Sequence, residues 1–217
     1  MRLLPYSADE LKAKLEVYLE QDDKFKQVFE YTKQRLQAAT HLPAHNWAHA
    51  YRDTISAIVI GEAEVANMSI VLPAAVMHDI GFLYDGATGK THGAIGANKL
   101  SEYLQQAGIT YDQADIDRMA SCIRTHKGSM HNEKPETLEA RVVADADLME
   151  KFGPFGVYQF IRSFTEFNKP LEEIFRRATE IVTLTLETPT GQKLAEPGRQ
   201  FVADFFTELQ EAAEPYA

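Results

Sequence analysis

Apolar positions recur at three- and four-residue spacing along almost the whole chain, and no stretch alternates with a period of two. That spacing is the mark of amphipathic helices rather than half-buried strands. Ser7-Ala8-Asp9-Glu10 has the form of a capping box, and Leu11, Leu15 and Tyr18 follow on one face. Asp22-Asp23 opens a second segment with Phe25, Phe29, Thr32 and Leu36 at the same spacing. Pro43 breaks the pattern, because proline disfavours helix in the residue before it. A third helix is expected from Ala44 to Ala66, burying Trp47, Ile55, Ile58 and Val59. Leu72-Pro73 is read as the start of a fourth, since proline is tolerated in a first turn. This helix delivers His78-Asp79, after which Gly81 frees the backbone.

Residues 82–91 read as a loop, and His92 opens a fifth helix that runs from Gly93 to Ala107 and stops at Gly108. Gly93 and Gly96 mark a face where another backbone comes close. Asp112 caps a sixth helix whose core face, Ile116, Met119, Ala120 and Ile123, leads to His126. A polar loop from Lys127 to Thr137 contains His131, which is read as facing solvent. Leu138 to Phe152 carries Asp145 and Asp147. Beyond Gly153-Pro154, helical patterns cover Phe155–Phe167, Leu171–Glu187 and Pro197–Ala213, the last two split by Thr188-Pro189-Thr190-Gly191. One all-α domain spanning residues 1–217 is the expectation.

A length of 217 residues suffices for a substantial core. The net charge of −10 argues against a nucleic-acid polymer or an anionic membrane surface as partner. A local basic pocket for a small phosphate is still allowed. The longest apolar run, Ile70 to Met77, is far short of the ~20 residues a spanning helix needs. With no signal-peptide pattern, a cytoplasmic location is expected. The single cysteine, Cys122, lies in an apolar helical pattern and reads as a buried, inert thiol.

Chemistry enters with the histidines and acids. Imidazole and carboxylate both ligate borderline or hard divalent cations, and His78-Asp79 stands among His45, His49, His92, His126, Asp145 and Asp147. His45 and His49 share a helix face, four residues apart. Asp145 and Asp147 are out of place among Val142, Val143, Leu148 and Met149 unless a cation or strong donor lies near. Gly86-Ala87-Thr88-Gly89-Lys90 lacks the spacing and the preceding strand of a nucleotide-binding loop. Lys90 can still reach a site beside His78.

The ordered set His49, His78-Asp79, Asp147 resembles the H…HD…D signature of the HD superfamily of metal-dependent phosphohydrolases. The resemblance is clearest from His45 to about Phe160, and closest to small bacterial HD-domain hydrolases. His45-Asn46-Trp47-Ala48-His49-Ala50-Tyr51-Arg52 is similar to the family's opening helix, and Asp145-Ala146-Asp147-Leu148 to its closing segment. It implies an HD-type helical bundle, with residues 1–40 as scaffold helices, 44–160 as the metal-site core and 161–217 as C-terminal helices. It also implies His49, His78, Asp79 and Asp147 as metal ligands, with Asp145 beside them or as the ligand in an alternative register.

The implied activity is hydrolysis of a small phosphorylated metabolite, a nucleotide being the favoured class, by attack of metal-activated water on phosphorus. Asp79 is a candidate to hold the attacking water. Arg52, Lys90 and Lys127 are the basic groups available for phosphate charge, with Arg52 preferred. His92 and His126 are expected to contact phosphate. In some branches of the superfamily histidines in these intervals bind a second metal, so a two-metal phosphodiesterase or di-iron oxygenase stays open. A non-catalytic ligand-binding module is the reading from another class. The metal could be Mn, Fe, Co, Ni, Zn or Mg, and a homo-oligomer is allowed. Gly81, Phe82 and Leu83 stand where many nucleotide-cleaving relatives carry an acid, which leaves the general base open.

Overall fold

The computed structural model describes residues 3–128, 134–170 and 172–213, and His131 lies outside them. The described residues form α1 (Ala8–Gln21), α2 (Asp23–Ala38), α3 (Trp47–Glu64), α4 (Met68–Met77), a 3₁₀ turn (Ile80–Leu83), α5 (His92–Gln106), α6 (Gln113–Thr125), α7 (Leu138–Met149), α8 (Gly153–Glu166), α9 (Glu172–Thr183) and α10 (Pro189–Ala213), with no strand among them. The capping box at Ser7 and Glu10 forms as its residues dictate.

Helix α4 is buried from Ile70 to Met77. A helix apolar all round belongs inside, and α4 is packed by α2, α3, α6 and α7. Around it α3 packs on α7, and α5 on α6 and the 3₁₀ turn; α8, α9 and α10 form a second group that α10 joins to α7 and α3. One continuous core runs from Leu15 and Phe25 through Ile58, Met77, Leu100 and Ile123 to Phe152 and Phe206.

Several boundaries differ from the pattern reading, α3 among them, which runs from Trp47 to Glu64 rather than from Ala44 to Ala66. α4 begins at Met68, because the Asn67 side chain accepts from Ser69 N 3.1 Å away and caps it one turn earlier. Pro73 therefore sits inside the helix, where it removes one ladder hydrogen bond. α7 stops at Met149 and α9 at Thr183, short of the expected Phe152 and Glu187. α10 opens at Pro189, so the Thr-Pro-Thr-Gly stretch is its first turn rather than a break before it.

The expected close backbone approach is present. A Cβ on Gly81 would collide with the carbonyl oxygen of His92, and Gly96 faces the Gly81 nitrogen, where a Cβ would lie at 3.1 Å. This contact fixes the 3₁₀ turn after His78-Asp79 against the first turn of α5, and so sets where Asp79 stands relative to His92.

Candidate metal centre

Helix ends position most of the candidate ligands. His78 and His126 are the C-cap residues of α4 and α6. Each folds its ring back onto a carbonyl three residues earlier: His78 Nδ1 lies 2.7 Å from Ala75 O and His126 Nδ1 2.6 Å from Ile123 O. The last carbonyls of a helix have no partner within it, so an imidazole N–H satisfies one of them. His92, at the start of α5, places Nδ1 2.9 Å from Thr88 O. His49, in the first turn of α3, places Nδ1 2.7 Å from Glu150 Oε2.

These contacts settle which way each ring faces. With Nδ1 donating to oxygen, a neutral ring carries a bare lone pair on Nε2. All four Nε2 atoms converge: His49 and His78 are 3.2 Å apart, and His92 and His126 are 3.0 Å apart. Asp79 lies between the two pairs. Its Oδ2 is 3.2 Å from His49 Nε2 and 3.3 Å from His78 Nε2, and its Oδ1 is 3.2 Å from His92 Nε2 and 3.6 Å from His126 Nε2. Asp147 Oδ1 stands 3.6 Å from His49 Nε2.

Facing lone pairs and carboxylates repel unless positive charge lies among them. Asp53 and Asp79 are both 1% exposed, and none of their four oxygens accepts a hydrogen bond from the described residues. Such orphaned buried carboxylates are costly without a cation. One ligand atom from each of His49, Asp53, His78 and Asp147 lies within 4.8 Å of the others, and the same holds for His78, Asp79 and His126. The residues therefore fit a divalent cation, and a mixed imidazole–carboxylate donor set suits Mg and the first-row metals.

The electrostatics point the same way. Burial alone would lower the His49 pKa, but Asp53 and Glu150 outweigh it and hold the ring well above its usual value. Burial opposes charge on Asp147 too, yet Lys127, Lys151 and His49 hold its carboxyl well below the usual range. Burial, with Lys127 and His92 beside it, pushes His126 well below its usual value. Burial pushes the Asp53 carboxyl up to about 8.

Around the centre, Glu150 accepts from His49 and is clasped by the Arg52 guanidinium through Nε and, at 3.2 Å, Nη2. Arg52 also lies over the Phe155 ring, 4.3 Å from its centroid. It faces an apolar cavity of about 680 Å³ rather than the one that opens on Asp147.

That second cavity, of about 620 Å³, has His49 and Asp147 on its floor and Lys90, Lys127, Lys151, Lys169, Arg176 and Arg177 on its walls, with Phe160, Phe164 and Phe167 supplying an apolar side. Lys127 Nζ is 3.6 Å from Asp147 Oδ2, and Lys151 Nζ lies 3.1 Å from the same oxygen. His92 and His126, 0% and 1% exposed, face Asp79 and are not among the residues lining this cavity.

Asp145 stands apart from the centre. Its carboxylate accepts from Glu187 N at 2.6 Å, Thr188 N at 2.8 Å and Thr188 Oγ1 at 2.6 Å, where α10 begins. Gly191 lies so close to it that a Cβ there would strike its Oδ2. The strong donor demanded by an acid in an apolar segment is thus an opening helix turn.

Sequence reasoning did not single out Asp53, Glu150, Glu166 or the α9 arginines, but it did name Lys151, with Arg141, as an ion-pair partner for the acids of α7, and Lys151 pairs with Asp147. Asp53 follows His49 by four residues and so shares its face, which was a readable signal. Lys151 stands four after Asp147 in the same way. Arg176 and Arg177 reach the cavity only because α9 folds back over it, and no local spacing reports that.

Comparison with known proteins bears on the fold that carries this centre. The HD domain profile matches residues 46–151. The chain is 26% identical to YpgQ of Bacillus subtilis over 179 residues, covering 76% of this chain and 83% of that one. The crystal structure of YpgQ in complex with ADP superposes with a TM-score of 0.61 at 21% identity, covering 88% of this chain and 95% of that one. A predicted HD superfamily hydrolase from an uncultured Thermotogales bacterium gives 0.58 at 21% identity, covering 88% and 92%. An HD-superfamily hydrolase from Bacillus thuringiensis gives 0.63 at 18% identity, covering 88% and 97%. At these identities the structural likeness bears on fold, and the fold is the same helical one. The histidines and acids drawn together between α3, α4, α5, α6 and α7 fall within residues 46–151, the stretch that matches the HD domain.

Proposed function

We propose that the protein is a metal-dependent phosphohydrolase acting on a small phosphorylated metabolite, with a nucleotide as the substrate class. One observation carries this reading: His49 and Asp147, two members of the cluster fit for a cation, form the floor of a cavity whose walls carry Lys90, Lys127, Lys151, Lys169, Arg176 and Arg177. Glu150 and Glu173 also line this opening and Glu180 pairs with both arginines, yet six basic side chains gathered at one opening of a chain of net charge −10 suit an anion. When bound, a divalent cation there makes water a nucleophile near neutral pH and draws charge off a phosphoryl oxygen.

The chain's own residues do the rest. His49, His78, Asp79 and Asp147 hold the cation. Lys127 and Lys151, already beside Asp147, orient phosphate oxygens over it. Lys90, Lys169, Arg176 and Arg177 hold further phosphate charge, and Phe160, Phe164 and Phe167 offer a face for a base. YpgQ has been crystallised with ADP, which supports a nucleotide here. Arg52 serves by fixing Glu150 and, through it, His49, rather than by touching phosphate.

A two-cation centre is the second reading, favoured by Asp79, whose two oxygens are divided between the His49–His78 and His92–His126 pairs. Metal stoichiometry on the purified protein separates one from two. The activity is tested by a phosphate- and pyrophosphate-release screen over nucleotides and sugar phosphates with Mn, Mg, Co, Ni, Fe and Zn. Turnover that disappears in His78→Ala is expected. Silence across the panel, with cation uptake demonstrated, overturns the reading.

A further inference from the structure

We infer that Asp53 is an additional protein ligand of the cation held by His49, His78, Asp79 and Asp147, a role outside the H…HD…D pattern. The inference rests on the metal-centre reading above and deepens it.

Asp53 lies one turn after His49 on α3 and is 1% exposed. Buried carboxylates are ordinarily paired or richly hydrogen-bonded. Neither oxygen of Asp53 accepts a hydrogen bond from a described residue. Its Oδ2 lies 3.3 Å from His49 Nδ1 and 3.4 Å from His78 Nε2, but neither ring is set to donate to it. His49 directs its Nδ1 proton to Glu150, 2.7 Å away. His78 directs its Nδ1 proton to Ala75 O and so presents a lone pair on the Nε2 that faces Asp53. A buried carboxylate with no donor that meets another acceptor is explained by a positive ion shared between them. His49, Asp53, His78 and Asp147 can each place a ligand atom within 4.8 Å of the other three. Helix α3 thus supplies two ligands from one face, His49 and Asp53.

The consequence is a harder donor set. Two imidazole nitrogens with carboxylates from Asp53, Asp79 and Asp147 suit ions that favour six oxygen-rich positions, such as Mn and Mg, over tetrahedral Zn. Asp53→Asn keeps the size of the side chain and removes one anionic ligand. It should therefore weaken Mn more than Zn, whereas a side chain that only braced His49 would weaken both alike.

The test is calorimetric titration of the metal-free protein with Mn and with Zn, for wild type, Asp53→Asn and His78→Ala, alongside thermal melts with and without metal. Expected are a Mn affinity at least tenfold weaker in Asp53→Asn, a smaller loss for Zn, a metal-free melting temperature no lower than wild type, and a reduced rise on adding Mn. Asp53→Ser, smaller and adding no bulk, carries the same expectation should the amide not fold. Wild-type protein that takes up no cation overturns the metal centre and this ligand with it. Wild type that binds while Asp53→Asn binds Mn within threefold as tightly, or loses Mn and Zn equally, overturns only the assignment of Asp53.

Discussion

Glu150 and His49, 101 residues apart in sequence, meet through a hydrogen bond of 2.7 Å between Glu150 Oε2 and His49 Nδ1. The carboxylate follows α7 and the imidazole opens α3, so this bond ties the two helices at the floor of the cavity. It fixes the tautomer that leaves His49 Nε2 free for a cation, and a carboxylate partner also raises the basicity of a ligating imidazole. Glu150→Gln should weaken cation binding by about 10- to 100-fold, the range such outer partners command. Titration calorimetry on the metal-free protein measures it. Arg52→Ala, which removes the clasp on Glu150 but not Glu150 itself, should cost less than Glu150→Gln.

Gly81 makes a sharper steric demand. A Cβ there enters the space of the His92 carbonyl oxygen, and neither the 3₁₀ turn nor α5 can move without shifting Asp79 from His92. Gly81→Ala should destabilise the fold by about 1–3 kcal/mol, the usual cost of forcing bulk into a packed site. It should also weaken cation uptake. Chemical denaturation with unchanged m-value, followed by metal titration, reads both. Full stability in Gly81→Ala would mean the turn is free to shift.

The helical pattern, the core faces of α1, α2, α3 and α6, and most of the residues that cluster were legible because each rests on local spacing. His78-Asp79 at the end of an apolar run is a local signal. Its meaning came from residues that recur in order along the chain. What could not be read depends on chain reversal. Arg52 looked like a phosphate fork because a lone arginine beside a ligand carries no mark of its partner, and its partner is Glu150, 98 residues away. Asp145 and Asp147 are equivalent to a pattern reader, yet two residues along a helix turn a side chain by about 200°. One faces the centre and the other faces α10. The start of α10 was missed because Pro189 and Gly191 read as punctuation, whereas the carboxylate that makes them a helix start lies 43 residues away, at Asp145, hydrogen-bonded to Thr188.

Cys122 offers a check on the core. It is 0% exposed, and burial pushes its thiol up to about 12. Thiolate is the reactive form, so the native protein should resist alkylation at neutral pH and react fully only in denaturant. Rapid native-state labelling, followed by mass spectrometry, would contradict the packing of α6 against α4 and α5.

Glu166 gives the stability a defined pH dependence. Burial opposes its charge, but the His45 ring and the backbone N–H groups of Ala44 and His45 outweigh that and hold its carboxyl below the usual range. In the unfolded chain its pKa returns to about 4.3. Near that pH the unfolded state therefore binds more protons than the folded one, and stability rises with pH. The contribution is present above about pH 4.3 and is lost as pH falls through the lower folded value. Glu166→Gln should be less stable than wild type at pH 7, and the gap should narrow steadily below about pH 4.5. Urea melts across that range measure it, and a gap that widens on acidification would reverse the sign argued here.

The two acids of α7 should separate cleanly by experiment. Asp147 is held beside His49, Lys127 and Lys151, whereas Asp145 receives the backbone of Glu187 and Thr188 and the Thr188 hydroxyl. Removing Asp145 strands three donors, two of them buried, and each unsatisfied buried group costs about 1–3 kcal/mol. Water entering the space left by the shorter side chain offsets part of this, so Asp145→Ala should lose about 2–4 kcal/mol of stability. Cation affinity should stay within threefold of wild type, because Asp145 is not among the groups that converge on the centre. Asp147→Ala should do the reverse. It frees Lys127 and Lys151 from their carboxylate, removes one ligand, and should abolish cation binding while leaving the junction between α7 and α10 intact. Measuring melting temperature and metal affinity for both variants decides the register, since a ligand role for Asp145 would make its alanine variant lose the metal as Asp147→Ala does.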